Sequence, residues 1–219
     1  MRQILKDNLP FLILYIIFLV PSVLLLIIFS KEQIHLAINS FHTDLFDFFF
    51  LYITFLGSGV FAIIVALILL FIKFRYFLIA ILSFISSAFV AQFLKRVVFY
   101  DVDRPAEFFK NIVDLHIVKG QKILYHFSFP SGHSVTIFAL CFALSYFVKN
   151  SLLKLLFALI AIIVAFSRVY LSQHFLIDIV VGSLIGIIFS MISILLLKDL
   201  KTNIKILKNK YNENSQISK

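Results

Sequence analysis

Residues 9–29 read Leu-Pro-Phe-Leu-Ile-Leu-Tyr-Ile-Ile-Phe-Leu-Val-Pro-Ser-Val-Leu-Leu-Leu-Ile-Ile-Phe, 21 positions without a charge. As an α-helix such a run is about 30 Å long, which matches the hydrocarbon thickness of a bilayer. Arg2 and Lys6 precede it and no small-residue cleavage site follows, so it is expected to remain as a membrane helix rather than be removed as a leader. Working outward, five more apolar runs of comparable reach occur at 48–72, 76–94, 131–148, 152–167 and 179–197. The fifth of the six is the shortest, and Arg168 at its end predicts a helix continuing past that charge, with the charge facing protein rather than lipid. The composition agrees: 62% of the 219 residues are hydrophobic, 28 are Phe, none is Trp, and 14% are charged. With a mean hydropathy of +1.05 this excludes a soluble domain, and 4 Pro with 6 Gly are too few for a disordered chain. The expected fold is all-α and integral to the membrane. It is a single domain over 1–219 with six transmembrane helices in one bundle.

The formal charge of +9 would suggest nucleic acid in a soluble protein, but here it must be mapped onto the spans. Placing both termini in the cytoplasm puts 12 of the basic residues inside and 8 outside, whereas eight of the 11 acidic residues fall outside. That orientation is favoured. The excess charge on the inner face, much of it in the basic tail 198–219, suits anionic lipid headgroups and not nucleic acid. Cys141, the single cysteine, lies in an apolar run and reads as a small buried hydrophobe.

This topology brings the loops 31–47, 95–130 and 168–178 to the outer face, where the unusual polar residues gather. The third span ends in Lys95-Arg96 and leads to Arg104-Pro105; the fourth opens with Pro130-Ser131-Gly132-His133; the fifth ends in Ser167-Arg168, followed by His174 and Asp178. Lys and Arg neutralise phosphate oxygens, and Arg does so as a bidentate fork. Ser131-Gly132 leads into a helix, whose free N–H groups favour an anion. His174 and Asp178 are four apart and share a helix face, so the carboxylate can hold one ring nitrogen and aim the other. His133 adds a second titratable group.

These residues resemble the type 2 phosphatidic acid phosphatase family of membrane lipid phosphatases, whose site is shared with vanadium haloperoxidases. The family pattern runs K-x6-R-P, then P-S-G-H, then S-R-x5-H-x3-D. Residues 130–133 match the second motif, and Ser167, Arg168, His174 and Asp178 match the third at the family spacing. The first motif departs: eight residues separate Lys95 from Arg104, and Val97 stands where the family has Lys. Seven apart on a helix keeps two side chains on one side, while nine turns them about 180° apart. The helix is therefore expected to end or bulge before Arg104, with Lys95 favoured over Arg96 as the cation aimed at the site.

The resemblance implies hydrolysis of a phosphate ester or diphosphate without metal or cofactor, through a phosphohistidine on His174. Asp178 would orient the ring, and His133 would protonate the leaving oxygen. Lys95, Arg104, Arg168, Ser131 and Gly132 would bind the phosphoryl oxygens. The implied partner is a membrane lipid phosphate at the outer face of a plasma (inner) membrane. Undecaprenyl diphosphate is preferred for a small enzyme without appended modules. A lipid A phosphatase, or one acting on phosphatidylglycerol phosphate or phosphatidate, is the alternative, and a non-catalytic phospholipid-binding or transport protein is the alternative of another class.

His35, His42, His116 and His126 read as polar residues near water, and Asp101 and Asp103 as solvated. Gly182 and Gly186 read as a close-packing pair within the bundle. The Phe-rich run 46–50 reads as an interfacial cap, and the outer loop 99–130 as an amphipathic lid that selects the headgroup.

Overall fold

The protein is described by a computed structural model over residues 1–200; the expected basic tail lies, from 201 onward, outside the described residues. Ten α-helices follow one another: α1 (Arg2–Asp7), α2 (Leu9–Ile28), α3 (Lys31–Ser40), α4 (Asp44–Ile53), α5 (Gly59–Ile72), α6 (Phe74–Phe93), α7 (Pro105–Phe108), α8 (Gly132–Phe147), α9 (Ser151–Tyr170) and α10 (Leu176–Leu197). No strand occurs among the described residues. Local chemistry sets the helix starts. Ser30 and Gln33 form a capping box at α3, while the side chains of Thr43, Ser58, Ser131 and Asn150 cap α4, α5, α8 and α9.

Among the described residues, four helices are long and apolar enough to cross a membrane: α2, α6 with its continuation to Val98, α9 and α10. A fifth span arises if α4 and α5 count together, as they are joined by a 3₁₀ turn at Thr54–Gly57 and bent by 55°. The sequence predicts one straight run there. Ser58 instead takes an extended conformation between two glycines and breaks it. The remaining predicted span, α8, has only 16 residues, about 24 Å of helix. It is the central helix: every side chain from Ser134 to Ala143 is buried. Other helices surround it, so it has no lipid-facing stripe to keep apolar.

The packing of α10 on α8 is close because of two glycines. A Cβ at Gly186 would lie 2.5 Å from the carbonyl oxygen of Val135, and one at Gly182 would lie 2.8 Å from that of Ser131. The pair is thus an internal helix contact, as the sequence suggests. Two interior hydroxyls bond across the bundle, Tyr15 Oη with Ser183 Oγ at 2.9 Å and Ser145 Oγ with Asn8 Oδ1 at 2.5 Å.

The expected amphipathic lid, 99–130, contains only the short α7. Its base is closed by two backbone hydrogen bonds, Arg104 N–H to Tyr125 O at 2.7 Å and Ser128 N–H to Val102 O at 2.9 Å. Phe109 and Val118 anchor it by burial.

Candidate active site

One end of the bundle collects the end of α6, the start of α8, the end of α9 and the start of α10. The Arg168 carbonyl accepts from the N–H groups of Gln173 at 3.0 Å and His174 at 3.1 Å, making a tight turn that leads into α10. Ser172 lies in the left-handed region at φ 52°. The side chains of His35 and Asn39 on α3 hold this turn, each 3.2 Å from Ser172 Oγ.

His174 is 2% exposed and Asp178 1%. Asp178 Oδ2 accepts from Ser128 Oγ at 2.5 Å and from the Phe175 N–H at 3.1 Å, and it lies 3.1 Å from His174 Nδ1. A carboxylate already holding two donors keeps the ring proton on Nδ1, which leaves the lone pair on Nε2. Burial, and then the charges of Arg104, Lys95 and Arg168, push the His174 pKa well below the ordinary histidine range. The ring is therefore a neutral base at physiological pH, the form a nucleophile requires.

Arg104 sits 3.3 Å from His174 Nε2 through Nη1. Its guanidinium is fixed by the carbonyls of His126 at 2.9 Å, Gln173 at 2.9 Å and Phe127 at 3.3 Å. Burial draws its pKa down to about 10, with Asp178 opposing, so it stays charged at neutral pH. Arg168 donates from Nη1 to Thr54 Oγ1 at 2.7 Å, and its buried Nε has no hydrogen-bond partner among the described residues. Lys95 is buried beside them, whereas Arg96 points outward to Gln92 Oε1 at 3.3 Å. The helix bulges as the spacing requires: Leu94–Val98 is a π-turn, and the helix ends at Phe99. Among the described residues, none of the three buried cations forms an ion pair with Asp or Glu.

The remaining sequence-predicted residues lie at the same end. His133, in the first turn of α8, packs on the α4–α5 break, where a Cβ at Gly57 would come within 3.0 Å of its Cβ. A Cβ at Gly132 would meet no atom within 4 Å, so this backbone is open to a ligand. Ser131 is fully buried and occupied locally: its hydroxyl caps α8, and its N–H donates to the Asp178 carbonyl at 3.1 Å. The eight positions named from the sequence thus share one end of the bundle, a cage of cations around a neutral histidine.

Residues 76–201 match the family model of the PAP2 superfamily, which spans all of these residues. The chain belongs to the PAP2 superfamily. No curated protein matches it. Among solved structures it is similar to Aquifex aeolicus LpxE, with 28% identity over 74% of this chain and 93% of that one and a TM-score of 0.66. It also shares the fold of the first transmembrane PAP2 type phosphatidylglycerolphosphate phosphatase from Bacillus subtilis, at 24% identity over 93% of this chain and 100% of that one, with a TM-score of 0.63. The protein is accordingly a multi-pass membrane lipid phosphatase, a hydrolase.

Several residues of this PAP2 site escape sequence reading. Ser128 and Gln173 each hold a site residue, yet nothing in the flanking sequence marks them. Thr54 and Gly57 both fall in the stretch Thr54-Phe55-Leu56-Gly57 of the second apolar run, which resembles the start of the family's second span; Thr54 holds Arg168, and Gly57 leaves room for His133. The histidines read as polar residues near water divide. His35 departs from that reading: it is wholly buried, with its ring 5.7 Å from that of Phe109 and 5.4 Å from that of Phe175. Burial lowers its pKa to about 4, so it is a neutral core residue. His116 pairs with Asp47 at 2.7 Å, and the exposed His126 pairs with Asp103 at 2.8 Å.

Proposed function

We propose that this phosphatase hydrolyses a lipid phosphate or diphosphate at the outer face of the inner membrane through a phosphohistidine on His174, and that undecaprenyl diphosphate is its substrate. The observation that carries the reading is the burial of Lys95, Arg104 and Arg168 around a neutral His174 with Asp178 as the single carboxylate. A buried cluster with three positive charges and one negative is costly until an anion completes it, and a phosphate dianion supplies the missing charge. A binding protein would need the cations alone. The Asp178–His174 pair, with Nε2 facing Arg104, is arranged for nucleophilic attack.

In the proposed reaction the Nε2 lone pair attacks phosphorus and the bond from phosphorus to the leaving oxygen breaks. His133 gives that oxygen its proton. Asp178 balances the positive charge formed on the phosphorylated ring, and the three cations take up charge on the equatorial oxygens. Water then attacks the phosphohistidine, His133 accepts its proton, and the P–N bond breaks to release inorganic phosphate and neutral His174. Gly132 would offer its N–H to the phosphoryl group, while Ser131 would act chiefly by holding the start of α8 against Asp178.

The proposal includes six spans, with α8 as the short central one, both termini in the cytoplasm and the site facing outward. The charge asymmetry between the two faces supports it. A groove of about 220 Å³ lined by Phe99, Val102, Phe129, Phe175 and Ile177, with Lys31 also on its wall, reaches Asp178 and suits a lipid chain approaching the site. The test is phosphate release by the detergent-purified protein, with EDTA present, from undecaprenyl diphosphate, lipid A, phosphatidylglycerol phosphate and phosphatidate. Release from the first that disappears in His174→Ala is expected. Turnover surviving in His174→Ala would refute the phosphohistidine, and release from another of the four lipids alone would correct the substrate.

A further inference from the structure

Beside the cation cage a second cavity of about 420 Å³ opens, and its wall includes Gln92, Lys95, Arg96, Arg104, Tyr125 and His126. It differs from the apolar groove at Asp178 in carrying three of the molecule's cations, two of them members of the cage. The third, Arg96, is unused by the mechanism above. It is exposed, and its Nε is held by Gln92 Oε1 at 3.3 Å, one turn earlier on the same helix. Within the π-turn these two consecutive cations face different ways, Lys95 into the buried cage and Arg96 onto the rim of the cavity that adjoins it. Arg96 thus adds a guanidinium to a cavity whose wall also holds Lys95 and Arg104 of the cage.

We infer that Arg96 forms a subsite for a second phosphate group, so that the site takes a lipid diphosphate with its terminal phosphoryl in the cage and its lipid-linked phosphate against the Arg96 guanidinium. The inference rests on the phosphatase reading and deepens it. In a diphosphate the leaving group is itself a phosphate, on which negative charge grows as the bond to the terminal phosphorus breaks, and a guanidinium fork is the side chain that matches such a group. Among the described residues no carboxylate lines this cavity, and Asp103, next to Arg104 in the chain, is paired with His126 Nδ1 at 2.8 Å.

The experiment compares a polyprenyl diphosphate with the matching polyprenyl monophosphate, on the wild-type protein, Arg96→Gln and Arg96→Lys. Arg96→Gln is expected to lower kcat/KM for the diphosphate by roughly tenfold or more, the loss of one charge-assisted contact, with the monophosphate changed by less than about twofold. Arg96→Lys should recover part of the loss because it restores the charge without the fork. A parallel fall on both substrates, or none on either, would overturn the inference. Binding of the same two lipids is measured on a His174→Ala background with and without Arg96→Gln. Selective weakening of the diphosphate there supports the subsite even if turnover is absent, an outcome that would overturn only the hydrolytic reading; no selective weakening overturns the subsite whether or not the enzyme turns over.

Discussion

At His174 the chemistry depends on which ring nitrogen holds the proton, and that is decided by Asp178. Its Oδ2 gathers Ser128, the Phe175 amide and His174 Nδ1 within 3.1 Å. Asp178→Asn keeps the shape but removes the charge that fixes the tautomer and balances the phosphorylated ring. A fall in kcat of the order of 10³–10⁴-fold is expected, with KM little changed. Ser128→Ala removes one donor to the carboxylate while leaving the pair intact, and a smaller loss of roughly tenfold is expected, about the value of one hydrogen bond to a charged group. Both are read by steady-state phosphate release. A Ser128→Ala enzyme as impaired as Asp178→Asn would show that Ser128 does more than hold the carboxylate.

At the scale of elements, the glycines at the start and along the flank of α8 separate stability from chemistry. A Cβ at Gly186 would meet backbone, the Val135 carbonyl at 2.5 Å and the Ala139 nitrogen at 2.9 Å, and neither can swing aside. Gly186→Ala is expected to force α10 off α8 and cost about 1–3 kcal/mol, seen as a lower thermal midpoint in detergent. Gly132→Ala meets nothing within 4 Å, so its midpoint should be unchanged while its methyl group intrudes where the phosphoryl group is proposed to sit. Loss of activity at unchanged stability is the expected signature, and equal activity would place the anion elsewhere. The helix ends around the site show what a sequence conveys. The Pro-Ser-Gly-His motif, the Ser-Arg and His-Asp spacing and the need for a bulge after Lys95 were legible because each is local and set by helical periodicity. The supports of those residues were not: Ser128 meets Asp178 across 50 positions and Thr54 meets Arg168 across 114, contacts created by packing alone. Hydropathy likewise counts α8 as one span among six, because an apolar helix buried in protein and one facing lipid have the same composition.

For the whole molecule, the bundle has two unlike ends. One holds the cation cage under the loop 99–130, and the other carries the turns at Lys73 and Asn150, with Arg75 donating to the Lys198 carbonyl at 2.6 Å. Basic residues favour the second end as the cytoplasmic one, and the reading is open to a direct test because Cys141 is the single cysteine and is buried. In a Cys141→Ala background, chosen because the thiol packs as a small apolar group, single cysteines are introduced by Asn111→Cys in the outer loop and Lys73→Cys in the turn between α5 and α6. A membrane-impermeant maleimide should label the first in intact cells and the second only after permeabilisation. The reverse pattern would invert the molecule and put the cage on the cytoplasmic side, where a lipid phosphate presented at the outer leaflet could not reach it. Labelling of both sites in intact cells would mean that the two turns share a face, which is incompatible with α5 crossing the membrane.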